Sequence, residues 1–158
     1  MKNILEKYHY KKITQEREFN LLQTRHNSLS KMLTKSIASE IEEVGSETYI
    51  IVYNYDIIGF FTIKVSAFED MDNYKIKSLK LVCIYIYKDY RSHGIASSVL
   101  KDIIVSIRRD RPQYKYLIVN SFIDTIPFFI NKGFDFYKKS TILNFNKRNV
   151  ILLYKKIV

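Results

Sequence analysis

Lys88-Asp89-Tyr90-Arg91-Ser92-His93-Gly94-Ile95-Ala96-Ser97-Ser98-Val99-Leu100 is the stretch on which the reading of this chain turns. Ahead of it, a run of strand-forming residues stops at Tyr87. From Gly94 onward the apolar residues recur at helical spacing. A strand, a short polar turn with a glycine and the start of a helix together make a trap for an anion. A helix N-terminus leaves several N–H groups without internal partners and carries a partial positive charge, which suits a phosphate. Gly94 has no Cβ, so the main chain there can approach a ligand closely. Arg91 adds a fixed cation beside it.

Working outward, Ser78 to Tyr87 carries apolar residues at consecutive positions, as a strand buried on both faces does. The helix after the turn runs over Ile95–Ile107, and Pro112 helps to end it. Tyr114–Val119 reads as a second buried strand, so the Gly94 helix is the crossover of a parallel βαβ unit. Upstream, Thr48–Tyr53 and Ile57–Val65 form a hairpin around Asn54-Tyr55-Asp56, which is turn chemistry. Gly59 within that second strand points to a bulge or a close approach of other backbone or ligand. Residues 66–77 are polar and read as a loop. Downstream, Asp124 is expected to cap a short helix over residues 125–132, with Pro127 in its first turn and Gly133 ending it. Phe134–Lys138 and Asn149–Ile157 read as two late strands that pair antiparallel. At the N-terminal side, residues 3–10 form a short strand. One helix follows from Thr14, and a second, capped by Ser28 or Ser30, carries Met32, Leu33, Ile37 and Ile41 on one face and ends near Gly45. The order β-α-α-β-β-β-α-β-α-β-β predicts an α/β fold. It is a single mixed sheet of about seven strands with helices on both faces, in one domain spanning residues 1–158.

Bulk composition bounds the function classes. With 158 residues, 47% of them hydrophobic and 27% charged, the chain has the material for one real core and does not have the composition of a disordered segment. Its apolar stretches, Ile57 to Phe61 among them, are far short of a membrane span, and Met1–Lys7 lacks the apolar region of a signal peptide. A cytoplasmic protein with no membrane partner is the expectation. A single cysteine, Cys83, excludes an internal disulfide and reads as a buried strand residue rather than a nucleophile. His9, His26 and Cys83 have no partners at metal-ligand spacing, so no metal site is expected. The net charge of +10 attracts anions, whether a nucleotide, a nucleic acid or an acidic protein. Its densest cluster, Arg108-Arg109-Asp110-Arg111 with Lys115 beyond, reads as a solvated helix end, where cations suit the helix dipole.

The order Arg91-x-x-Gly94-x-Ala96, with Tyr90 before the arginine, resembles the acyl-CoA motif of the GNAT superfamily of N-acyltransferases. Three further pieces match in the right order. Asn54-Tyr55-Asp56-Ile57-Ile58-Gly59-Phe60 is similar to the family's second hairpin. Leu81–Tyr87 looks like the central strand before the CoA loop. Phe128-Phe129-Ile130-Asn131-Lys132-Gly133-Phe134 resembles a family segment usually read Phe-Tyr-Glu-Lys-x-Gly-Phe. The resemblance covers roughly residues 48–140 and implies the acyl-CoA N-acyltransferase fold. It implies that the phosphates of CoA meet the backbone N–H groups of Ser92, His93, Gly94, Ile95 and Ala96, with the Ser97 hydroxyl helping and Arg91 nearby. It places the pantetheine arm along Ile84, Tyr85 and Ile86, in a gap between the two central strands, paired like an added strand. The amide at Ile84 or Ile86 would then polarise the thioester carbonyl. The activity implied is transfer of an acetyl group from acetyl-CoA to a primary amine by direct attack on the thioester, with no metal. A homodimer is left open. Two other readings stand beside it: a basic GNAT-type toxin or modifier acting on charged tRNA, for which the positive charge would supply phosphate contacts, and a CoA-binding module with little turnover.

The catalytic groups are not assigned. Many family members carry a tyrosine at the position matched by Phe129, to return a proton to the leaving thiolate, and phenylalanine has no hydroxyl. Tyr137 is a substitute on sequence proximity alone, weighed against a strand tyrosine that packs its ring. The central strand offers no glutamate as a general base; Glu69, Asp70 and Asp72 in the preceding polar segment are candidates weighed against plain solvation. Asn120 is either the shifted equivalent of a family asparagine or a strand-end cap. His93 is read as exposed, auxiliary and non-catalytic.

Overall fold

The computed structural model describes residues 7–13, 41, 43–138, 143–145 and 148–157. Of the two predicted N-terminal helices, only Ile41 and residues 43–45 at the end of the second lie among the described residues; Ile41 is helical, and 43–45 already form a turn. The strands are β1 (His9–Lys12), β2 (Glu47–Tyr53), β3 (Asp56–Glu69), β4 (Lys75–Ile86), β5 (Tyr116–Phe122), β6 (Asp135–Phe136), β7 (Leu143–Phe145) and β8 (Arg148–Lys156), with helices α1 (Ile95–Asp110) and α2 (Ile126–Asn131). Seven of them run in one sheet in the order β1-β2-β3-β4-β5-β8-β6, and β7 adds to β8. Only β4 and β5 are parallel, joined by α1, as the crossover reading requires; the rest are antiparallel.

Alternation assigns the two faces. Phe61, Ile63, Leu79, Leu81, Leu117 and Val119 are buried with the apolar stripe of α1: Ile95, Val99, Leu100, Ile103, Ile104 and Ile107. Phe60, Val82, Cys83, Tyr85 and Tyr87 pack on the opposite side, where the helical residue Ile41 joins them. Each fully buried aliphatic of α1 contributes about 1.5–3 kcal/mol. Packing therefore holds this helix, and its N-terminus can do without a side-chain cap that would add only about 1 kcal/mol.

Two irregularities shape the centre of the sheet. The β2–β3 register slips between Ile51 and Val52, next to Gly59, and the β3–β4 register slips where Thr62 pairs Cys83 but Ile63 pairs Leu81, leaving Val82 as an extra residue in β4. Gly59 pairs with Ile86, and a Cβ on it would lie 2.1 Å from the Tyr85 carbonyl oxygen. The bulge and the close backbone approach anticipated at this glycine are thus both present. Asn54 and Tyr55 both take positive φ in the β2–β3 turn, at 48° and 67°, as a tight hairpin of matching twist requires.

Several boundaries differ from expectation. The segment 66–77 is mostly strand: β3 runs on to Glu69 and β4 starts at Lys75, with Phe68 opposite Ile76 and Ser66 opposite Ser78. Most of its polar residues occupy exposed positions of the hairpin, so their polarity reports solvent rather than irregular chain. The turn between is fastened by Asp70, whose Oδ1 accepts from the Asp72 and Tyr74 amides at 2.9 and 2.8 Å. β5 begins two residues late because Tyr114 N still bonds Arg111 O, 3.1 Å away, in the turn that closes α1. Asp124 does not cap α2: no side-chain cap is made there, and a 3-10 turn over Ile123–Thr125 precedes the helix instead.

One polar clamp ties the edge of the sheet to the end of α1. Glu47 on β2 is ion-paired to Arg111, the residue that closes α1, accepts from Tyr49 OH at 2.9 Å and pairs with Lys12 of β1 at 3.3 Å. Burial alone would push the Glu47 carboxyl up, but hydrogen bonds from Arg111, Tyr49 and Lys12 outweigh it and hold it below its usual value. Burial and then the Glu47 carboxylate push the Tyr49 hydroxyl up to about 12.

Candidate functional site

Parallel pairing of β4 with β5 covers only Leu79–Leu117, Lys80–Ile118 and Leu81–Val119. The extra residue at Val82 follows at once. A bulge bends its strand and increases the local twist, so β4 leaves β5 at this point. Between the diverging strands lies a cleft of about 450 Å³. Leu81, Val82, Cys83 and Ile84 form one wall, Val119, Asn120 and Phe122 the other, and Asp124, Thr125, Phe128 and Phe129 close it from the α2 side. Ala96, in the first turn of α1, also lines it.

The loop between β4 and α1 meets the cleft there. Tyr87 is extended, Lys88–Tyr90 make one 3-10 turn and Arg91 is extended again. Ser92 and Gly94 then adopt the left-handed region, with φ of 65° and 71°. Such turns present successive N–H groups to a single point, a concavity suited to an anion. The first bond inside α1 runs from Ser98 N to Gly94 O at 3.1 Å, so the amides of Ile95, Ala96 and Ser97 precede any intrahelical partner. No side chain caps this end and no acidic residue sits in the first turn. A Cβ built on Gly94 meets nothing within 4 Å, so the space in front of it is open. The loop is braced from behind. Arg91 Nε donates to Ile86 O at 2.8 Å and its guanidinium lies 5.2 Å from the Tyr85 ring, while Tyr90 OH reaches Asp56 across the hairpin turn at 3.5 Å. Ser92, His93 and Gly94 are exposed, Ile95 is buried, and Ala96 and Ser97 are half-buried.

The residues singled out along β4 divide between faces. Ile84 lines the cleft, the Tyr85 side chain stacks on Phe60 on the opposite face, and Ile86 is buried against α1's side of the sheet. Cys83, buried and in no disulfide, is also part of the cleft wall. Phe129 is in the cleft and 5% exposed, packed edge-on against Phe128 and Phe134. Tyr137 is elsewhere: its hydroxyl donates to Glu69 O, and its ring sits against Phe68. Glu69, Asp70 and Asp72 belong to that same hairpin end. Glu69 pairs with Lys75, six residues before Leu81, or roughly 20 Å of strand. None of these three acids, nor Tyr137, lines the cleft. Asn120 does line it, from within β5 rather than as an end cap. Asp124 and Thr125 were not expected in the cleft. The sign available in the sequence was an acid and a hydroxyl directly after a buried strand, which also fits helix capping. Among the described residues no group of histidine, cysteine and acidic side chains is placed to hold a metal. No helix among them is long and apolar enough to cross a membrane.

Comparison with known proteins bears on the family and the fold. Residues 4–145 match the family model for the acetyltransferase (GNAT) domain. A search of curated proteins finds no match. Among solved structures, a GNAT family acetyltransferase from Elizabethkingia anophelis with acetyl-CoA bound is 17% identical, covers 96% of this chain and 99% of its own, and superposes with a TM-score of 0.59. Arabidopsis thaliana NAA60 in complex with a bisubstrate analogue gives 13% identity, 96% and 99% coverage and a TM-score of 0.69. FeeM, an N-acyl amino acid synthase from uncultured soil microbes, gives 11% identity, 95% and 91% coverage and a TM-score of 0.69.

Proposed function

This chain belongs to the GNAT acetyltransferase family, and from that premise we propose that it transfers an acetyl group from acetyl-CoA to a primary amine by direct attack on the thioester. The single observation that carries the reading is the junction of two features: the uncapped N-terminus of α1, behind Ser92 and Gly94, opens onto the cleft where β4 parts from β5. The first suits the diphosphate of CoA and the second its extended, amide-bearing arm.

In this reading the amides from Ser92 to Ala96 and the Ser97 hydroxyl receive the phosphates, and Arg91 shapes their loop. The pantetheine arm lies along the part of β4 at Ile84, Tyr85 and Ile86 and pairs with strand backbone that β5 has left. An N–H at Ile84 or Ile86 polarises the thioester carbonyl. The amine nitrogen attacks that carbon, the carbon–sulfur bond breaks with its electron pair on sulfur, and the surplus proton of the new amide leaves to water. Holding both reactants in one apolar cleft supplies much of the rate. We take the compartment to be the cytoplasm, and a homodimer stays open.

Incubating the protein with acetyl-CoA and a broad amine panel, with thiol release as readout, tests the proposal; silence across the panel would count heavily against it. A CoA-binding module of low turnover is the second reading, and Phe129 in the cleft favours it. CoA binding by calorimetry together with a null transfer assay would decide for it. Action on charged tRNA is less well supported. Arg108 Nε donates to Ile157 O at 2.7 Å, Arg109 pairs with Asp110 at 2.7 Å and Arg111 with Glu47, so the densest basic cluster is engaged within the fold.

A further inference from the structure

The cleft is walled mainly by aliphatic and aromatic side chains, and its polar lining is confined to Cys83, Asn120, Asp124 and Thr125. A thiolate held against those apolar walls loses water on that side, and it is stabilised by a donor that can turn toward it. An ionised carboxylate only accepts hydrogen bonds, so Asp124 as a carboxylate does not serve. Thr125 does, because of how it is tied to its neighbours. Its Oγ1 lies 2.9 Å from Ser121 Oγ and 3.0 Å from Phe122 O, and Ser121 Oγ also donates to Phe122 O at 3.0 Å.

Two hydroxyl hydrogens are therefore shared among three contacts, two of them to one carbonyl. Ser121, 1% exposed, can hold the Phe122 carbonyl by itself. Thr125, exposed at the rim of the cleft, can then turn its hydrogen into the cleft while the half-buried Phe122 carbonyl keeps a donor. Thr125 also precedes Phe129 by one helical turn, and both residues line the same cleft.

Resting on the acetyl-transfer reading above, we infer that Thr125 is a catalytic residue whose hydroxyl donates a hydrogen bond to the CoA sulfur as the carbon–sulfur bond breaks, with Ser121 as the positioning residue that frees it. No net proton passes through the pair: the electron pair stays on sulfur, and the proton lost by the amine goes to water.

The test needs no knowledge of the acceptor. The thiol of bound CoA is titrated by thiolate ultraviolet absorbance in the wild type, Thr125→Val and Thr125→Ser, with CoA binding and thermal unfolding followed in parallel. A hydrogen bond to a charged group shifts such a titration by about one pH unit. The expected result is a bound-thiol pKa about one unit higher in Thr125→Val than in the wild type, restored in Thr125→Ser. Adding Phe129→Tyr to Thr125→Val places a hydroxyl one turn along and is expected to recover part of the shift. Equal titration of CoA bound to the wild type and to Thr125→Val overturns the role of Thr125 and leaves the acetyl-transfer reading intact. Failure of the wild type to bind CoA overturns both.

Discussion

Gly59 and Gly94 are both glycines for backbone reasons, yet they answer to different constraints. At Gly59 the limit is contact: a methyl group would sit 2.1 Å from the Tyr85 carbonyl oxygen, in the strand pair that supports the cleft. Gly59→Ala is expected to cost about 3 kcal/mol through displaced backbone and to lower the melting temperature by roughly 10 °C, at about 2–4 °C per kcal/mol for a domain of this size. At Gly94 the limit is conformation, since its φ is 71° while nothing lies within 4 Å of an added Cβ. Gly94→Ala is expected to fold, at a cost of about 1–2 kcal/mol, and to weaken CoA binding about tenfold or more because the methyl group enters the ligand's space. Calorimetric CoA affinity beside a melting curve separates the two; an unchanged affinity in Gly94→Ala would remove the phosphate role from this loop. Both glycines were legible as special from the chain alone, because a glycine inside a strand pattern and one at a strand-to-helix turn each need a reason. Thr125 was not legible: a threonine after a strand fits several local roles, and only the folded chain puts its hydroxyl beside those of Ser121 and the open cleft.

The element that matters most is α1, held by its buried stripe and left bare at its start. A negative charge in its first turn would satisfy the helix dipole and repel a phosphate at the same place. Ser97→Asp is therefore expected to act with opposite signs. The free protein gains about 0.3–1 kcal/mol of stability, while CoA affinity falls at least about fivefold, since a like charge at about 4 Å costs about 1–4 kcal/mol. A melting curve without ligand and a CoA titration on the same sample check both halves. If added acid leaves affinity untouched, the helix start is not the anion site. The periodicity of Ile95–Ile107 and the continuous apolar run of the central strand made this element readable in advance. The outer end of the β3–β4 hairpin was not, because its exposed lysines and acids are interspersed with few apolar residues and mimic a loop. The α2 end of the cleft was hidden for a related reason: Asp124 reads as a helix cap in the chain, but a 3-10 turn precedes the helix and no side-chain cap is made.

For the whole molecule, the long-range electrostatic feature described is the clamp in which Lys12, Glu47, Tyr49 and Arg111 join β1, β2 and the end of α1. The Glu47 carboxyl titrates below its usual value in the folded protein, so its contribution to stability is fully present above about pH 4.5 and is lost as the pH falls through the lower, folded value. The Tyr49 hydroxyl has the reverse sense: its contribution holds below about pH 10 and is lost as the pH rises through about 12. Glu47→Gln is expected to lower stability at neutral pH by about 1–3 kcal/mol, by leaving the half-buried Arg111 without its counter-charge. The wild type and the variant should converge as acid protonates Glu47. Melting temperatures from pH 3 to pH 7 check this, and parallel curves across that range would show that Glu47 is not the group responsible. The early parting of β4 from β5 has one more consequence. A sheet that stops pairing halfway along its two middle strands lacks part of its own framework, and a bound arm with amides of its own would complete it. The substrate would then be a temporary structural member, and each catalytic cycle would begin by finishing the fold and end by undoing it.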